Sequence, residues 1–165
     1  GKFYVPGNHE YYWGVRPWLD WFSEAGYRVL LNRHELVPIG ESSILIAGVA
    51  DPAAGMMKEE APDLARALTG APQGGGPRVL LAHQPKIARE AAQAGFDLQI
   101  SGHTHGGQFF PWTLVARRFH EFPQGLMRAG KMWIYVSPGT GHWGPPVRLG
   151  TSPEVSVLIL RGNRG

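Results

Sequence analysis

The 165 residues contain no cysteine, which excludes disulfide staples and thiolate metal sites together. Any metal must then be held by His, Asp, Glu or Asn, donors that suit Mn, Fe or Zn. No apolar run approaches the roughly 20 residues that span a bilayer, and no signal peptide is visible. Charge is also scarce: charged residues make up 18% and the formal net charge is +3. That surplus favours an anionic substrate, but it is too small and too scattered for a nucleic-acid partner. What is plentiful is apolar residues at 43%, with 23 glycines and 14 prolines. The first excludes a disordered chain, and the others predict many tight turns and loops between short elements. The length suits one domain, taken as residues 1–165. The chain opens on Gly1-Lys2 within what already reads as a strand, so a fragment or a processed product is expected.

Along the chain, Lys2 to Val5 reads as a strand closed by Pro6-Gly7-Asn8, and Pro17 starts a helix that ends at Gly26. Arg28–Leu31, His34–Ile39 and Ile44–Val49 read as strands, the second forming a hairpin with the third. Asp63 to Leu68 is helical, and Gly70 to Pro77 is a loop. Val79-Leu80-Leu81-Ala82 is a continuous apolar run, as in a strand buried on both faces. A helix over Lys86–Ala94 and a strand over Leu98–Ile100 complete a strand–helix–strand unit, the mark of a layered α/β sheet. Met132–Val136 and Val155–Leu160 supply two further strands. The fold class is therefore α/β.

Three histidine-bearing segments fall where strands end: Gly7-Asn8-His9-Glu10, Ala82-His83-Gln84-Pro85 and Gly102-His103-Thr104-His105-Gly106-Gly107-Gln108. Ligands bind beyond the carboxyl ends of such strands, because the loops converge there. His103 and His105, two apart, can each reach a different ion of a pair about 3.5–4 Å apart. His83 adds an imidazole and Asn8 a neutral amide oxygen suited to a hard cation. His9, next to Asn8, points elsewhere and stays free for proton transfer.

Together these segments resemble the last three of five motifs in the calcineurin-like metallophosphoesterases, in the right order and spanning the whole chain. Gly-His-Thr-His-Gly-Gly-Gln, with Gly139-Thr140-Gly141-His142-Trp143-Gly144-Pro145-Pro146-Val147-Arg148, resembles a bacterial membrane-associated branch. The resemblance implies a β-sandwich flanked by helices, here lacking its N-terminal strands. It implies two divalent ions, with Asn8, His83 and His103 on one and His105 on the other. His9 would stabilise the transition state or protonate the leaving oxygen. The implied reaction is hydrolysis of a phosphate ester or pyrophosphate, on a phosphorylated small molecule or a lipid-linked substrate. A membrane association through a preceding N-terminal segment goes with that branch.

The family's opening Asp-x-His and Gly-Asp-x-x-Asp motifs do not occur; Asp20, Asp51 and Asp63 lack that context, and Asp97 precedes a strand. The 165 residues alone are therefore expected to be inactive. The rival readings are a non-catalytic fragment binding at most one metal, and zinc amide hydrolysis, which leaves Gly-Asn-His-Glu without a role. Tyr11 is a candidate pocket wall, and Arg148 a candidate phosphate clamp through its bidentate guanidinium. His34 and His120 lack a ligand pattern and read as structural, and His142 is a candidate for the rim. Phe109 to Arg118, an apolar loop ending in two arginines, is a candidate lip for peripheral membrane contact.

Overall fold

A computed structural model describes residues 1–161, without the side chain of Arg117. In chain order the elements are β1 (Phe3–Tyr4), α1 (Asn8–Tyr12), α2 (Val15–Glu24), β2 (Arg28–Val29), β3 (Arg33–Ile39) and β4 (Ser42–Gly48). There follow α3 (Ala53–Met56), α4 (Leu64–Ala67), β5 (Arg78–Leu81), a 3-10 turn at Pro85–Ile87, α5 (Ala88–Gln93) and β6 (Leu98–Ser101). A second 3-10 turn at His105–Gly107, α6 (Trp112–Phe119), β7 (Gly125–Ala129) and β8 (Met132–Val136) complete the set.

Six strands form one mixed sheet in the order β3-β4-β5-β6-β8-β7, and β1 pairs separately with β2. Strands β4, β5, β6 and β8 run parallel, with antiparallel β3 and β7 at the two edges. The chain is thus mixed α/β; of the two sheets that a sandwich implies, one has six strands and the other is this two-residue pair. The expected hairpin joins β3 to β4 with Ile39 opposite Ser42. Gly40 in the connecting turn has φ +57, which glycine adopts without steric cost. Pro38 is tolerated because β3 is an edge strand.

The core lies where the apolar runs predict. Leu45, Ala47, Val49, Leu80, Ala82, Ile134 and Val136 pack with Ala88, Ala91 and Phe96 of the covering helix and its exit. A second cluster joins Tyr11, Val15 and Leu19 to Ala50, Ala53 and Ala54, and so anchors the first two helices beside the end of β4.

Two expectations are overturned. Val155–Leu160 forms no strand; Val155 and Val157 are 85% and 84% exposed. Alternation marks a face that would be apolar, but among the described residues no neighbouring strand completes a ladder there. The Phe109–Arg118 stretch, read as a loop, is largely the helix α6. Its Trp112, Val115, Ala116 and Phe119 fall at i, i+3, i+4 and i+7, a helical stripe that was already in the sequence. Strand β7 carries no clear signal in the sequence, because Pro123-Gln124-Gly125 looks like a turn and its side chains mostly half-bury or stay exposed on an edge.

Candidate metal centre

The parallel strands deliver their carboxyl ends to one edge of the sheet, and β5 and β6 are neighbours there. Leaving these two strands, His83 and His103 come side by side, ring centroids 5.2 Å apart and nearly perpendicular at 79°. Asn8 reaches them from the first residue of α1. The turn before it is closed by Glu10, whose carboxylate accepts the Gly7 N–H at 2.7 Å.

The approach of Gly7 to His83 is close enough that only glycine fits. A β-carbon on Gly7 would lie 2.8–2.9 Å from three atoms of the His83 ring. Asn8 is buried, and its side-chain oxygen lies 3.0 Å from His83 Nε2 and 3.1 Å from His103 Nδ1. The two ring nitrogens are 3.3 Å apart. Three donor atoms therefore form a triangle with edges near 3 Å. Donors held about 2.1 Å from a common centre at right angles are separated by about 3 Å, so this triad fits one face of a divalent ion's coordination shell. Among the described residues no group of three or more His, Asp or Glu gathers as a cage; the donor set is two imidazoles and an amide.

Burial, reinforced by neighbouring imidazoles, pushes the His83 ring down to about 4. Burial foremost, then His83 itself, pushes His103 down to about 4. Both rings are thus neutral near pH 7, the state in which an imidazole can coordinate a cation.

The third histidine segment carries an unusual backbone. His103, His105 and Gln108 have φ of +70, +51 and +56, the left-handed region that few non-glycine residues enter. Such clusters of strain mark functional sites, where surrounding structure holds them in place. Here the Thr104 hydroxyl helps by donating to the Pro123 carbonyl at 2.6 Å. His105 faces the same cavity as the triad. Burial and the nearby Arg148 lower its affinity for a proton.

Behind His83, the fully buried Asp51 accepts hydrogen bonds from Ala53 N at 2.8 Å and Gln84 Nε2 at 2.9 Å. Its second oxygen has no partner within the described residues, and burial raises the affinity of this carboxyl for a proton. Sequence context gave Asp51 no role; its position beside the residue that follows His83 comes only from β4 lying next to β5.

Asn8, His9, His83, His103 and His105 all line one cavity of about 420 Å³. The lining also has an apolar part: Trp112, Val115, Ala116 and Phe119 of α6, together with Trp143. His9 is exposed beside Tyr12, with the rings 5.7 Å apart, and is not among the triad's contacts. His120 also lines the cavity, which departs from its purely structural reading, whereas His34 binds the Ala67 carbonyl at 2.7 Å. Tyr11 is not part of the cavity wall. It is 5% exposed within the second core cluster, its hydroxyl pushed up to about 12 by burial and by Asp51. Arg148 directs its guanidinium at backbone carbonyls, Pro138 at 2.8 Å and Gly139 at 3.2 Å, with His105 Nδ1 3.4 Å away. Those bonds staple the loop after β8 and leave the clamp geometry expected of Arg148 unrealised. His142 is exposed and does not line the cavity.

No family model matches the chain. An uncharacterized metallophosphoesterase of Helicobacter pylori strain J99 is 41% identical over 97% of this chain and 42% of its own length. One from Aquifex aeolicus is 40% identical over 98% of this chain and 61% of its own. A Danio rerio transmembrane protein with metallophosphoesterase domain is 36% identical over 98% of this chain and 39% of its own. The chain thus spans about two fifths of the length of the first of these curated relatives. Among solved structures, a Thermus thermophilus sulfate thiohydrolase, SoxB, superposes with a TM-score of 0.57 at 21% identity, over 84% of this chain and 28% of that one. A putative 5'-nucleotidase from Staphylococcus aureus does so with a TM-score of 0.54 at 16% identity, over 84% and 33%. These two likenesses are of fold.

Proposed function

We infer that the chain belongs to the calcineurin-like metallophosphoesterases and that it carries part of the catalytic site of a metal-dependent phosphohydrolase. The observation that supports this most is the triad of Asn8, His83 and His103, three lone-pair donors at 3.0–3.3 Å with both rings held neutral by burial. In this reading those residues hold one divalent ion, and His105, on the same cavity, contributes to a second. When bound, such ions lower the pKa of a water and neutralise charge developing on phosphorus; Mn, Fe and Zn all suit these donors.

The remaining steps fall to the chain's own side chains. His9 lies on the cavity outside the triad, where it donates a proton to the leaving oxygen of a phosphate ester or pyrophosphate. Tyr11, buried beneath α1, supports that helix from below, and Arg148 acts on the site through the loop it staples and through His105. The apolar wall formed by α6 suits a lipid-linked substrate. Exposed Phe110 and Trp112, at 59% and 48%, suit peripheral contact with a membrane, and the Danio rerio relative is named a transmembrane protein. Among the described residues no helix is long and apolar enough to cross a membrane.

The carboxylate that offsets repulsion between two ions about 3.5–4 Å apart has no motif-borne source within residues 1–165. By themselves these residues bind at most one ion and do not turn over substrate. The test is hydrolysis of a chromogenic phosphodiester by the natural protein, with and without chelator, beside His103→Ala. We expect chelator and substitution each to abolish activity. Chelator-resistant turnover, or two ions bound with full turnover by the 165 residues alone, overturns the reading.

A further inference from the structure

Gln108 closes the third histidine segment, is fully buried, and does not touch the cavity. Its carboxamide is spent on a stretch 35 residues away. Oε1 accepts the Trp143 N–H at 2.7 Å, and Nε2 donates to the carbonyls of Trp143 at 2.8 Å and Pro145 at 3.2 Å. Its backbone carbonyl accepts from Leu149 N at 3.1 Å and from the Thr151 hydroxyl at 2.8 Å. Five hydrogen bonds from one residue thus fix a segment that has no helix or strand of its own. Gln108 makes them with φ at +56, a conformation that glycine would adopt more easily. A buried amide in a strained backbone is explained by what it holds.

What it holds is Trp143. Trp143 lines the same cavity as the donor triad, together with α6, and its ring lies 6.2 Å from that of Phe109. The triad contributes polar groups to the cavity lining, and α6 with Trp143 contributes apolar ones, so the two sets can read different parts of a ligand.

We propose that Gln108 is a positioning residue that holds Trp143 in the cavity wall, so that the site recognises an apolar group attached to the phosphate separately from the phosphate itself. The phosphate half of this statement rests on the phosphohydrolase reading above. Only a side chain that both donates and accepts satisfies Trp143 N, Trp143 O and Pro145 O together; methionine cannot donate and accepts only weakly, and ionised glutamate cannot donate.

The experiment compares inhibition of the metal-loaded natural protein by phenylphosphonate and by inorganic phosphate, with hydrogen exchange of residues 141–149 measured alongside. Gln108→Met and Trp143→Ala should each weaken phenylphosphonate about tenfold while inorganic phosphate changes less than twofold. For an aryl phosphate ester, KM should rise by more than kcat falls. Exchange in 141–149 should accelerate in Gln108→Met and Gln108→Glu but not in Trp143→Phe, which keeps an aromatic wall and most of the phenylphosphonate affinity. Equal weakening of both inhibitors overturns the proposal, as does unchanged phenylphosphonate inhibition in a Gln108→Met protein whose segment exchanges faster. If Gln108→Met does not fold, Trp143→Ala decides, because Trp143 is 43% exposed and its loss leaves the core intact. A wild-type protein that binds neither inhibitor would instead bring down the phosphohydrolase reading, and this proposal with it.

Discussion

Adding a single methyl group at Gly7 tests the metal centre without removing any proposed ligand. Gly7 has φ −98 and ψ −176, extended backbone that alanine adopts freely, so Gly7→Ala carries no conformational penalty of its own. The new β-carbon, however, would sit 2.8 Å from His83 Cε1 and Nε2 and 2.9 Å from Cδ2. Comfortable carbon contacts begin at about 3.5 Å, so the ring must retreat by about 0.7 Å. Overpacking of this size costs about 1–3 kcal/mol of stability. Metal–ligand distances tolerate only about 0.2 Å, so the displaced imidazole should leave coordination range. We expect Mn affinity to fall about 10–100-fold, the range seen when support for a ligand is lost. Calorimetric titration of Mn into the natural protein, paired with thermal melts, measures both effects. A double-mutant cycle with His83→Ala isolates the cause, since removing the ring should remove most of the stability cost of Gly7→Ala. Wild-type Mn affinity in Gly7→Ala would refute the reasoning, and so would a stability cost that persists undiminished in the His83→Ala background.

Three further outcomes are expected. His9→Ala should lower turnover of the natural protein about 10²–10⁴-fold with bound metal at wild-type stoichiometry, because His9 lines the cavity but stands outside the donor triad; loss of an ion on metal analysis would make it a ligand instead. The metal-free chain should lose stability as pH falls from about 6.5 towards 4. Unfolded imidazoles take up protons near 6.5 while buried His83 and His103 do so only near 4, so in that window the unfolded state binds more protons and is favoured; a melting temperature flat between pH 7 and 4.5 contradicts this. Phe110→Ser with Trp112→Ser should reduce co-sedimentation with anionic vesicles, the first residue being exposed just before α6 and the second at its start, and undiminished lipid binding would exclude a membrane lip.

The gathering of Asn8, His83, His103 and His105 on one cavity was legible in the sequence because their segments follow short apolar runs, and glycine or proline flanks permit sharp turns at strand ends. The same periodicity placed β5, α5, β6 and β8 and the hairpin of β3 with β4. These are local signals, fixed by side-chain alternation and turn chemistry over a few residues. Helix α6 is equally local: its i, i+3, i+4 and i+7 stripe stands in the sequence, within an aromatic-rich stretch that also suits a loop.

Other features depended on which elements become neighbours. Val155–Leu160 carries a strand's alternation, but a strand exists only with a partner to complete its hydrogen bonds, and composition cannot report one. Tyr11 and Arg148 are residue types that suit a substrate pocket, yet packing of α1 against α3 buries the first, and the loop after β8 occupies the second with its own carbonyls. Asp51, His120, Trp143 and Gln108 acquire their places only through contacts between chain segments far apart in sequence. The sequence by itself determined which atoms can bind a cation and where turns present them. The tertiary structure decided that three of those atoms meet at about 3 Å, because that distance depends on β5 lying beside β6 and on one glycine letting α1 approach.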